Sequence, residues 1–198
     1  MLRAIFFDFG GVVWATPGKT FYAALCARLG VDYDRFHQLF KAHEPALKAG
    51  RMTTAAFASI AERTFGLRQV IPLWEEVYRE HLTVRDGILD LATSLKARCQ
   101  VGLLSNQIDI TARLNRASGL FAAFDPIVIS CEVGLRKPEL AIFRRAAQMA
   151  GCAPSACMLV DDSETNVAAA RAAGMQAILF EDEAALRRDL ADRGLIKE

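Results

Sequence analysis

Residues 4–11 read Ala-Ile-Phe-Phe-Asp-Phe-Gly-Gly. Four apolar residues are halted by an aspartate, and two glycines follow within three positions. The run is too short for a helix and apolar at every position, as a strand covered on both faces should be. The same texture returns at 100–104, 126–130, 158–160 and 177–180. Stretches with helical spacing lie between those runs, at 87–97, 108–117, 139–150 and 164–173, and a last one at 183–193 follows the final run. Strands alternating with helices of this length predict βαβ units. The expected fold class is α/β: a Rossmann-like parallel sheet core with helices on both faces.

The texture changes between the first run and residue 87. Residues 20–82 read as helix almost throughout. Phe21, Ala24, Leu25 and Leu29 recur at helical spacing, and Phe36, Leu39, Phe40 and Leu47 continue it. Thr53 is placed to cap a helix over 54–65 with Gly66 just past its end, and Pro72 opens another that carries Trp74, Val77 and Tyr78. With no strand-like run inside it, the block reads as an inserted all-helical cap. The expected division is a core of 1–15 and 84–198 and a cap of 16–83, with the junctions at 15–18 and 83–87 as hinges.

Composition narrows the function classes. The chain has 198 residues, 53% of them hydrophobic and 24% charged, which suits one folded unit with an insert rather than two full domains or a disordered chain. The formal net charge of +1 leaves no strong field for nucleic acid or an anionic membrane. No segment approaches the roughly 20 apolar residues of a membrane span. The first apolar run, stopped at Asp8, is too short for a secretory signal, and a cytoplasmic protein is expected, monomeric or homodimeric. Cys26, Cys99, Cys131, Cys152 and Cys157 are odd in number and form no C-x-x-C pair, so reduced thiols are expected rather than a disulfide framework or a zinc site. His37, His43 and His81 lack metal-ligand spacing and fall inside the helical insert.

Open parallel sheets bind ligands beyond the carboxyl ends of their strands. The residues that follow successive runs are Asp8-Phe9-Gly10-Gly11, Ser105-Asn106-Gln107, Cys131 through Lys137-Pro138, and Asp161-Asp162-Ser163. A carboxylate, a hydroxyl and an amide, a lysine, and paired acids thus share one edge. The segments Phe6-Phe7-Asp8-Phe9-Gly10-Gly11-Val12-Val13, Leu103-Leu104-Ser105-Asn106, Gly134-Leu135-Arg136-Lys137-Pro138 and Leu159-Val160-Asp161-Asp162-Ser163-Glu164-Thr165-Asn166 stand in the order of the four motifs of the haloacid dehalogenase-like hydrolase superfamily. The chain resembles its capped subfamily I over nearly its whole length. The wording around Asp8 and Lys137 is most similar to the branch with the N-terminal phosphatase domain of soluble epoxide hydrolases and the sugar-phosphate phosphatases.

The resemblance implies a phosphatase in which Asp8 attacks phosphorus and forms an aspartyl-phosphate. Ser105 and Asn106 would bind the transferring phosphoryl group, with Lys137 as a fixed positive charge beside it. Mg²⁺ would sit on Asp8, Asp162 and the main-chain carbonyl of Gly10, with Asp161 reaching it through water and Asn166 bracing the loop. Each residue also has a plainer reading. In it Asp8 caps a turn, Ser105-Asn106 cap the helix at 108–117, Lys137 is a surface lysine, and the paired acids favour the positive end of the helix at 164–173. Trp14, Lys19, Phe21 and Tyr22 are candidates to face a small phosphate monoester such as a sugar phosphate.

One position departs from the pattern. Most phosphatases of the superfamily carry a second aspartate two residues after the nucleophile, acting as general acid and then base, and this chain has Gly10 there. A general acid–base group contributes about 10²–10⁴-fold in rate. Three outcomes stay open: a phosphatase whose leaving group needs little protonation or that uses another acid from the cap, a 2-haloacid dehalogenase, and a weakly active binding protein. The acid pair argues against the dehalogenase, in which a metal site has no evident purpose.

Overall fold

The computed structural model describes residues 1–15 and 19–197. The chain opens with strand β1 (Ala4–Phe7), followed by helices α1 (Lys19–Leu29), α2 (Tyr33–Lys48), α3 (Thr54–Phe65), α4 (Val70–Glu80) and α5 (Asp86–Leu95). It then alternates: β2 (Gln100–Ser105), α6 (Asp109–Ala117), β3 (Ile127–Ile129), α7 (Ser130–Val133), α8 (Leu140–Met149), β4 (Cys157–Asp161), α9 (Glu164–Ala172), β5 (Gln176–Leu179) and α10 (Glu183–Asp192). The strands form one five-stranded sheet in the order β3-β2-β1-β4-β5, parallel at every pairing. The expected α/β class and all five apolar runs are observed.

Alternation along β1 divides the core. Ile5 and Phe7 face α5 and α10, packing with Leu91, Leu95, Leu186 and Leu190, while Ala4 and Phe6 face α8 and α9, packing with Phe143, Ala146, Val167 and Ala170. All four residues of the strand are fully buried. Each buried side chain of this size contributes about 1.5–3 kcal/mol of burial free energy, so β1 holds both layers of helices. Gly102 on β2 makes room for this arrangement: a Cβ there would lie 2.6 Å from the Phe6 ring and 2.8 Å from the Pro126 carbonyl oxygen.

The helices α1–α4 bury a second cluster around Phe21, Phe36, Phe40, Phe57 and Trp74, and that cluster takes in Ile108, Ile110 and Leu114 at the start of and along α6. The two chain passages between the sheet and these helices run antiparallel, the Ala15 N–H donating to the Thr83 carbonyl and the Arg85 N–H to the Val13 carbonyl, each at 2.9 Å. Of the first expected hinge, residues 16–18 lie outside the described residues.

Two local expectations are corrected. Helix α4 begins at Val70 rather than Pro72, because Gln69 takes a left-handed conformation (φ 62°) that starts the helix two residues earlier and leaves Pro72 in the first turn, where no N–H is required. Ser105 and Asn106 do not cap the following helix. Helix α6 starts at Asp109, behind an Ile108 that provides no side-chain cap. Thr53 does cap α3, accepting from the Ala56 N–H, and Gly66 ends it in the left-handed conformation.

Candidate active site

Four strand ends and loops converge at the carboxyl edge of the sheet. Asp8 directly follows β1, Ser105 closes β2, Asp161 closes β4 and Asp162 is the next residue. Lys137 reaches in from the loop between α7 and α8. Its ammonium lies 2.9 Å from Asp8 Oδ2 and 2.5 Å from Asp161 Oδ2, and its side chain is 1% exposed. A lysine is buried this completely only when its charge is paired. The pairing holds the Lys137 ammonium above its ordinary range despite desolvation.

Each member of this group is itself held. Asn106 makes a reciprocal pair with the Lys137 backbone, its Nδ2 donating to the Lys137 carbonyl and its Oδ1 accepting from the Lys137 N–H, both at 2.9 Å. Its amide thus positions the lysine. Asp161 accepts on Oδ1 from the Ser163 N–H and from Asn166 Nδ2, both at 2.9 Å, so both its oxygens are occupied. Asp8 Oδ1 accepts from the Phe9 N–H at 2.7 Å. Burial pushes the Asp8 carboxyl up from 3.8 to about 6, with Asp161 adding to the effect and Lys137 and Ser105 opposing it.

Asp162 differs from its neighbour. It is exposed, and no side chain among the described residues donates to its carboxylate. Partial desolvation and the charge of Asp161 raise its pKa. Gly11, at φ +84°, passes so close that a Cβ there would lie 1.9 Å from Asp162 Oδ2. Carboxylate oxygens of Asp8, Asp161 and Asp162 all lie within 4.8 Å of one another. Three carboxylates converging on one point, one of them without a side-chain donor, form the hard oxygen donor set that suits Mg²⁺.

A cavity of about 610 Å³ runs from this cluster to the helices α1, α2 and α4. Asp8, Gly10, Ser105, Asn106, Lys137 and Asn166 line its inner end, and all four expected substrate-facing residues, Trp14, Lys19, Phe21 and Tyr22, line it as well. Among the histidines, His37 borders it too.

Arg85 and Asn115 go unnoticed in the sequence, which places Gln107 on the strand edge without a role. Arg85 donates to the carbonyls of Gly11 (2.6 Å) and Val12 (3.0 Å), clamping the loop after Asp8 from the second junction. Its position between the insert and the second βα unit was the available signal. Asn115 and Gln107 form a buried relay in which the Tyr78 hydroxyl donates to Asn115 Oδ1 at 2.9 Å and Asn115 Nδ2 donates to Gln107 Oε1 at 3.0 Å. The Gln107 N–H in turn donates to Ser130 Oγ at 3.0 Å. This chain ties α4 to the loop after β2, and no local pattern announces it.

Comparison with known proteins agrees with this architecture. A haloacid dehalogenase-like hydrolase family model matches residues 2–174. The chain is 28% identical to a drimenol cyclase of Aspergillus calidoustus over 98% of its own length and 38% of the cyclase's. It is 27% identical to a glyceraldehyde 3-phosphate phosphatase of Methanothermobacter thermautotrophicus, over 92% of this chain and 87% of that one. In fold it is similar to a haloacid dehalogenase family enzyme of Bacteroides thetaiotaomicron solved with magnesium and inorganic phosphate. The TM-score is 0.82 at 22% identity, covering 94% of this chain and 99% of that one. The family match takes in β1, the insert, the strand ends that carry Asp8, Ser105 and the two acids and the loop that carries Lys137, and the chain belongs to the haloacid dehalogenase-like hydrolase family.

Proposed function

We propose that the protein is a Mg²⁺-dependent phosphatase of small phosphate monoesters, with Asp8 as nucleophile. The observation that carries this reading is the position of the Lys137 ammonium between Asp8 and Asp161, with Asp162 completing a carboxylate cluster at the same strand edge. Asp8, Asp162 and the Gly10 carbonyl would hold the ion, with Asp161 behind them. The ion would polarise the phosphoryl oxygens and offset substrate charge. Lys137 keeps Asp8 oriented and draws its carboxyl toward the ionised, nucleophilic form. Attack by Asp8 on phosphorus breaks the ester P–O bond, releasing the leaving group as its alkoxide or phenolate, which takes a proton from solvent, and leaves an aspartyl-phosphate that water hydrolyses to inorganic phosphate and free Asp8. The Ser105 hydroxyl and the backbone N–H groups beside it donate to the phosphoryl oxygens as charge develops there. Residues 16–83 serve as the cap, closing over the cavity during attack and opening for release. The five free thiols fit a reducing, cytoplasmic setting.

The experiment is phosphate release from an aryl phosphate by the purified protein. Release should require Mg²⁺ and fall by at least about 10³-fold in Asp8→Asn. Metal-independent halide release from a 2-haloacid, with no phosphatase activity, would overturn the reading. Gly10→Asp restores a proton donor, and a gain on alkyl phosphates would show that leaving-group protonation limits the native enzyme.

A further inference from the structure

We propose that the leaving group is apolar, a hydrocarbon-rich alcohol or phenol of roughly ten or more heavy atoms rather than a sugar. The inference rests on the phosphatase reading above for the phosphate end and on the walls of the cavity for the rest. Between the carboxylate cluster and the exposed Lys19 and Lys41 at its mouth, the cavity is walled by Trp14, Phe21, Tyr22, Phe40, Trp74 and Tyr78. These rings brace one another. Trp74 meets Phe21 at 5.6 Å and Phe40 at 5.7 Å, Tyr22 meets Phe40 at 5.0 Å, and Trp14 meets Tyr78 at 5.4 Å between centroids. The wall is therefore pre-formed and aromatic.

Size and polarity both argue against a small polyol. At about 30 Å³ per water-sized group, a cavity of about 610 Å³ holds roughly 20 such groups, of which a phosphoryl group takes only a few. Several polar atoms around the chamber are engaged already. Tyr78 donates to Asn115, Trp14 Nε1 donates to the His81 carbonyl, and Glu44 is bonded to both Lys41 and Lys48 at 2.8 Å. The wall groups left unpartnered and buried are two donors, Trp74 Nε1 and Gln107 Nε2. Against the aromatic stretch of the wall a sugar's hydroxyls would meet ring faces rather than polar partners, and each unpaired hydroxyl weakens binding.

The test is titration calorimetry with Mg²⁺ present on the Asp8→Asn protein, which does not turn the ligands over, using n-butyl, n-pentyl, n-hexyl and n-heptyl phosphate and, as a polar six-carbon control, glucose 6-phosphate. The dissociation constant should fall about fourfold per added methylene, the value expected for burial of apolar surface, with a negative heat-capacity change that grows along the series. Glucose 6-phosphate should bind at least tenfold more weakly than n-hexyl phosphate. A flat series, or glucose 6-phosphate binding as tightly as n-hexyl phosphate, overturns the inference. Tyr22→Ser in the same background should shrink the increment per methylene; the series with Tyr22 in place decides the matter if that variant does not fold. Phosphate release by the native protein is scored separately. A rising series in a protein that releases no phosphate would refute the phosphatase and leave the apolar chamber standing, and the converse pair of results would do the opposite.

Discussion

Replacing Asp8 with asparagine should make the metal-free protein more stable as the pH rises, while abolishing its chemistry. Burial pushes the Asp8 carboxyl from 3.8 up to about 6. A carboxyl with a higher pKa in the folded chain than in the unfolded one binds its proton more tightly when folded. Its contribution to stability is complete below 3.8 and is lost as the pH passes through 6. Roughly two pK units, at 1.36 kcal/mol each, amount to about 3 kcal/mol, about half of it gone by pH 5 and nearly all by about pH 7. Asparagine carries no charge to desolvate. Lys137 keeps its 2.5 Å contact with Asp161, so the variant does not leave the ammonium unpaired. Urea unfolding of both proteins in the presence of chelator, from about pH 4 to pH 8, should show the variant gaining about 2–3 kcal/mol on the native protein between the ends of that range. Added Mg²⁺ should reverse the order by stabilising the native protein more than the variant. A difference that does not change with pH, or a native protein that gains on the variant as pH rises, would refute the electrostatic account of the site.

Removing Lys137 should have the opposite consequence. Lys137→Met leaves Asp8 and Asp161 buried without their cation, so stability near neutral pH should fall by about 3–5 kcal/mol and recover in part on acidification, as measured by thermal unfolding across pH. Gly11→Ala places a Cβ where Asp162 Oδ2 now sits, in a backbone conformation that alanine resists. It should cost about 1–2 kcal/mol of stability and weaken Mg²⁺ binding by at least about tenfold in a metal titration; unchanged Mg²⁺ affinity would remove Asp162 from the ligand set.

What could be read from the sequence follows the range of the forces involved. The sheet was legible because each strand is a short run buried on both faces, and such runs are visible one residue at a time. Thr53 and Gly66 were legible because capping is decided within four residues. The left-handed Gln69 was not, since nothing in its own side chain calls for that conformation, and the four-residue helix α7 is too short to show periodicity. The site divides the same way. Asp8, Ser105, Asp161 and Asp162 end strands and could be placed on one edge from the pattern of runs. The burial of Lys137 could not, because a lysine flanked by Arg136 and Pro138 looks solvent-exposed until carboxylates from two other strands surround it. Asn106 shows how a correct location can hide the job: its amide is spent on the Lys137 backbone, 31 residues away.

Gly10 and the charge of the cluster bear on each other. The near-neutral total of +1 conceals a site in which three carboxylates face one ammonium. Burial is the main reason Asp8 resists ionisation, with Asp161 adding to it against the pull of Lys137, and a divalent cation would favour the ionised form. A fourth carboxylate at position 10 would deepen the imbalance and repel the dianionic substrate further. On the proposed phosphatase reading, glycine relieves both effects and forfeits the proton donor at this position, so the leaving group departs as an anion unless another acid of the cap supplies the proton. Such a leaving group is acceptable when it is acidic, as a phenol is, and an aromatic ring is also what the chamber of Trp14, Phe21, Tyr22, Phe40, Trp74 and Tyr78 is shaped to receive. On that reading the missing acid and the aromatic wall both act on the leaving group and select for the same kind of molecule.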